Sequence, residues 1–138
     1  MKKLFTGLTA LLMAAVLTQF YLAASGAFDA APIEEAFQPH RVLGNAILVL
    51  AVVVTIAAAV VRMPGRLIGM AGLVAGLVLV QSLIREVAKS FGDGSSIGHF
   101  IFGLHAVNGL VITGMIGMIM WQSRQISRKP AAPGRVAL

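Results

Sequence analysis

Inside the apolar runs of this chain a few residues can do chemistry: His40, His99 and His105, Gln19 and Gln81, Asn45 and Asn108, Arg41 and Arg85. His40 and His105 each open the pattern His-x-x-x-Gly, as His40-Arg41-Val42-Leu43-Gly44 and His105-Ala106-Val107-Asn108-Gly109. Residues i and i+4 share a helix face, so each imidazole stands one turn from a missing side chain. A flat macrocycle fits such a gap. Two neutral imidazoles from different helices are the axial pair of a low-spin haem iron, and bundle cores are where such cofactors are held. The expected site therefore has His40 and His105 as metal ligands to haem b, with Gly44 and Gly109 beside the ring.

Other groups take supporting roles around that pair. Arg85 lies one turn beyond Gln81, and with Arg41 it can hold the carboxylates of a haem near the surface. Both arginines can equally snorkel to headgroups, with Arg85 or Lys89 pairing with Glu86. Gln19, Gln81 and Asn108 can orient the imidazoles, or can simply bond helix to helix. His99 precedes His105 by six residues and points about 120° away around the helix, which makes it interfacial, or a ligand in place of His105. With no cysteine among the 138 residues, thiolate chemistry, disulfides and iron–sulfur clusters are excluded.

The elements that must position these residues follow from composition. The chain is 58% hydrophobic and 12% charged, too little polar surface for a water-soluble globule. Four stretches are long enough to cross a hydrocarbon core of about 30 Å, at about residues 4–24, 40–61, 67–88 and 97–121. Their short connections predict an all-α integral membrane protein, an up-down four-helix bundle. Lys2, Lys3, Arg62, Arg66, Arg124, Arg128, Lys129 and Arg135 fall on one side, and all five acids, Asp29, Glu34, Glu35, Glu86 and Asp93, fall on the other. The positive-inside rule then makes both termini cytoplasmic, with residues 122–138 a basic cytoplasmic tail. The net charge of +6 reflects topology in the plasma membrane and contact with the lipid bilayer, and does not point to nucleic acid. The first span also resembles a secretory signal with a small-residue site at Ser25-Gly26-Ala27, but it is too long for a signal core and is read as a retained helix.

Counting about 1.5 Å per residue from the basic anchors, or from Trp121 in the last span, puts Gln19, Asn45, Gln81 and His105 in one layer, roughly 22–26 Å above the inner edge. The same count sets His40 about 9 Å higher than His105, a mismatch that helix tilt must absorb.

A glutamine near the outer end of one helix, His-Arg-x-x-Gly opening the next, a second glutamine in the third and His-x-x-x-Gly in the fourth resemble one four-helix half of haem A synthase. They are similar also to small four-span bacterial membrane proteins with a Leu-His-Ala-x-Asn-Gly segment in the last helix. The resemblance runs over Val16–Thr113. It implies haem ligation through the histidines of the second and fourth helices, here His40 and His105. The synthase has eight spans, and its active half carries a glutamate three residues before the second-helix histidine, where this chain has Phe37. The resemblance thus implies the haem-holding scaffold and not the oxidase chemistry. The expected role is electron transfer or haem handling beside a respiratory or haem-pathway membrane protein, with homo-oligomer formation open. The alternative is a cofactor-free accessory subunit whose polar layer specifies helix packing. A solute pump is a poor match, since the four spans show no inverted repeat and place no carboxylate inside the membrane.

Overall fold

The computed structural model describes residues 2–92 and 94–128. The expected positions Asp93, Lys129 and Arg135, with the rest of the tail, lie outside the described residues. Four long helices dominate: α1 (Lys2–Ala27), α3 (Gln38–Val60), α4 (Gly65–Ser90) and α5 (Ser96–Arg128), with a single helical turn, α2 (Ile33–Ala36), between the first two. They form an all-α up-down bundle. Each long helix is long and apolar enough to cross a membrane, which makes this a multi-pass membrane protein.

The helices extend a few residues past the apolar runs at most ends. The stretch from Ser25 to Pro39, expected as loop, holds the end of α1, all of α2 and the start of α3. Pro39 sits in the first turn of α3, where its missing N–H removes no helical bond. α5 continues past Trp121 to Arg128, so that tryptophan lies within the helix and does not mark its inner end.

The four helices close a ring: α1 packs on α3 and α5, and α4 packs on α3 and α5, while α1–α4 and α3–α5 are diagonal pairs. The interior is a narrow column that includes Phe5, Leu12, Leu67, Ile116 and Ile119, each almost wholly buried. The large apolar side chains left outside, among them Leu17, Val49, Leu79 and Leu110, face where lipid would lie. At the end that carries the Met63 turn, Thr6 Oγ1 donates to Ser123 Oγ at 3.3 Å, and Gln122 Nε2 reaches Met70 Sδ at 4.0 Å.

The turn between α3 and α4 is built by hydrogen bonds that close the helix end. Met63 N donates to Ala58 O at 2.9 Å and Arg62 N to Ala59 O at 3.0 Å, the paired bonds of a Schellman motif. Arg62 takes the left-handed position, φ 53°, that usually falls to glycine. Met63 is buried, and Pro64 then prevents the helix from continuing. At the other end Gly98 lets α5 start against α4, since a Cβ there would lie 2.9 Å from Ala88 O.

Candidate functional site

At the end opposite the Met63 turn, two helical hairpins each carry a glutamine and a histidine. In the first, His40 of α3 reaches α1, its Nδ1 lying 3.1 Å from the backbone carbonyl of Gln19. The Gln19 side chain returns the contact, its Nε2 donating to His40 O at 2.8 Å. In the second, His105 of α5 reaches α4 with Nδ1 3.3 Å from the carbonyl of Gln81. A carbonyl oxygen only accepts, so in both rings Nδ1 carries the proton. Each Nε2 is left with its lone pair and no protein partner among the described residues.

The two imidazoles come from diagonal helices and meet inside the ring. Their centroids are 6.2 Å apart with planes inclined by 45°. Phe102 stacks on His105 at 5.3 Å, and Phe37 stands edge-on to His40 at 6.1 Å. Both phenylalanines lie three residues before their histidines, Phe37 at the position where the synthase has its glutamate. The level difference expected between His40 and His105 does not keep their rings apart.

The glycines of the two His-x-x-x-Gly segments do a specific job. A Cβ on Gly44 would lie 3.0 Å from Gln19 Nε2, and one on Gly109 would lie 3.3 Å from Phe20 and 3.5 Å from Gln81 Nε2. Each glycine admits a glutamine from the facing helix, and Phe20 also stands over Gly109. Asn108 donates to Leu77 O at 2.8 Å and to Gln81 Oε1 at 3.0 Å, joining α5 to α4. Gln19 Oε1 is buried with no partner, alone in this among the described residues.

The remaining expected residues lie at the rim. Arg41 pairs with Glu34 at 3.2 Å and also reaches that residue's backbone carbonyl, and Lys89 approaches the same carboxylate at 4.0 Å. Arg85 pairs with Glu86 at 3.5 Å. Both guanidiniums are partly exposed, so these pairs exchange with little cost. His99 is exposed in the first turn of α5, and Asn45 is exposed on α3.

Taken together, the polar groups join helix to helix and leave two imidazole Nε2 atoms without a protein partner among the described residues. No curated protein and no solved structure matches the chain. Residues 19–88, half of the chain, match a family of unknown function, DUF6220, over a segment that takes in Gln19, His40 and Gln81 and ends before His105. The chain belongs to that family.

Proposed function

We propose that this protein binds haem b between His40 and His105 in the plasma membrane, with both termini cytoplasmic, and serves electron transfer or haem handling at the outer face. One observation carries the reading. The two rings are held by backbone carbonyls at Nδ1, which leaves both Nε2 lone pairs free at a centroid separation of 6.2 Å. Two imidazoles from different helices at this separation, each with Nε2 unpartnered among the described residues, are the donor set that would hold a bis-histidine haem iron.

Haem iron with two histidine ligands supplies reversible one-electron chemistry. The chain's own residues do the rest: the Gln19 and Gln81 carbonyls fix the tautomer and direction of each ring, and Phe37 and Phe102 flank the rings with apolar surface. Arg41 and Arg85 lie at the same end as cations for carboxylates, exchanging Glu34 and Glu86 for the ligand's own. The basic residues at the Met63 end support the cytoplasmic assignment of the termini. A respiratory or haem-pathway membrane protein is the partner this role requires.

The test is a spectrum. Protein purified in detergent from haem-replete cells, or apoprotein titrated with haemin, is expected to show a low-spin Soret band that His40→Ala and His105→Ala each abolish. Absence of any such band in the unaltered protein overturns the proposal.

A second reading, a cofactor-free accessory subunit, is favoured by a different observation. Gln19 lies against Gly44 and Phe20 against Gly109, so the space beside each glycine is already filled by protein. On that reading both alanine variants leave folding and partner pull-down unchanged, and no haemin is taken up.

A further inference from the structure

The interior-facing residues of this bundle repeat along the chain. All five buried residues of α1 have a buried counterpart 62 positions on in α4, as Leu12 does in Val74 and Val16 in Val78. All four buried residues of α3 have one 65 positions on in α5, as Ile47 does in Ile112 and Val54 in Ile119. A buried stripe of helical spacing occurs in any bundle, so the stripes alone prove nothing. What decides the matter is that the same two shifts also align the polar residues. Val16-Leu17-x-Gln19 returns as Val78-Leu79-x-Gln81, and Phe37-x-x-His40-x-Val42-x-Gly44 returns as Phe102-x-x-His105-x-Val107-x-Gly109.

The geometry repeats with the letters. In each hairpin the histidine Nδ1–H meets the carbonyl of the glutamine, the glutamine side chain lies by the glycine, and the phenylalanine packs on the imidazole. The helix neighbours also map onto themselves when the hairpins are exchanged: α1 on α5 becomes α4 on α3. Because α1 and α4 run the same way, the relating axis lies along the helices, as in parallel repeats of membrane proteins.

We propose that the chain is two fused copies of one helical hairpin, each supplying one imidazole to a single ligand site on the pseudo-twofold axis between them. The ligand is then a centre that would take one nitrogen donor from each hairpin. Its identity as haem rests on the reading above, whereas the duplication and the paired half-sites do not. Among the described residues the copies differ at three hydrogen bonds and one ring contact: Gln19 Nε2 donates to His40 O with no counterpart in the second hairpin, Asn108 makes two bonds with none in the first, and Phe37 stands edge-on where Phe102 stacks. Asn108 corresponds to Leu43, so Gln81 Oε1 has a donor and Gln19 Oε1, buried, has none. These departures surround the imidazoles and leave the Nδ1 contact of each ring unchanged.

Two measurements on the full chain in detergent test this. Nitrogen-15 NMR of histidine-labelled, ligand-free protein is expected to show two rings of the three with the proton on Nδ1 and a bare Nε2, assigned with His40→Gln and His105→Gln. If only one of them has that form, the proposal fails. Haemin is then titrated into His40→Gly and His105→Gly, with free imidazole supplying the lost ligand. Both are expected to regain the low-spin band with imidazole affinities within about tenfold of each other, the ratio that separates equivalent from inequivalent sites by about 1.4 kcal/mol. A larger ratio, or rescue of one variant only, overturns the equivalence. If the unaltered protein takes up no haemin, the haem reading falls and the tautomer result alone decides the half-sites.

Discussion

His40 and His105 sit on diagonal helices, yet their rings are 6.2 Å apart, each turned by a carbonyl of the helix beside it. The interior of the bundle is therefore narrow enough at this end for a side chain from one corner to meet one from the opposite corner.

Replacing His105 by methionine puts a soft thioether donor in place of the imidazole in a haem-loaded protein. Histidine–methionine ligation raises the potential of a haem relative to bis-histidine. The His105→Met variant is expected to stay low-spin with a midpoint potential above that of the unaltered protein. A redox titration showing an equal or lower potential contradicts bis-histidine ligation.

Glycine substitutions separate packing from permissiveness. Gly44→Ala brings a Cβ to 3.0 Å from Gln19 Nε2 and is expected to cost about 1–2 kcal/mol by displacing a hydrogen-bonded side chain. Gly69→Ala meets nothing within 4 Å and is expected to stabilise by about 0.5–1 kcal/mol through helix propensity. Unfolding titrations in detergent should order the two variants on opposite sides of the unaltered protein.

Asn108→Leu makes the second hairpin resemble the first. It removes the bonds to Leu77 O and Gln81 Oε1 and leaves the latter in the condition of Gln19 Oε1. The expected loss is about 1–2 kcal/mol, within the range for interhelical bonds in membranes. A variant as stable as the unaltered protein in the same titration would show these bonds to be idle.

Arg62→Gly removes the side chain from a left-handed residue. The backbone bonds at Ala58 and Ala59 need only the conformation, which glycine adopts freely. A gain of about 1 kcal/mol is expected, read as a higher unfolding midpoint.

Most of the fold was legible because lipid demands it: four apolar runs of spanning length with basic residues at one end leave few other architectures. The vertical placement of the site was less so. Counting from Trp121 put His105 well below His40, but α5 runs on past that tryptophan. The buried pair Ala58 and Ser123 is the better level mark, because each histidine lies 18 residues outward from its own member of that pair. The bonding partners were not legible, since an acceptor that is a backbone carbonyl leaves no trace in side-chain identity. The repeat was present in the letters, in Val-Leu-x-Gln and Phe-x-x-His-x-Val-x-Gly. The second copy is three residues longer between its glutamine and its histidine, and one uniform shift does not align both motifs.

Val16, Ile47, Val78 and Ile112, all buried, lie just inward of the imidazole pair, one from each helix. They form a floor across the bundle beside the imidazoles. Traffic of a solute from one face of the membrane to the other would require that floor to open. The haem-binding role proposed above works with the floor closed.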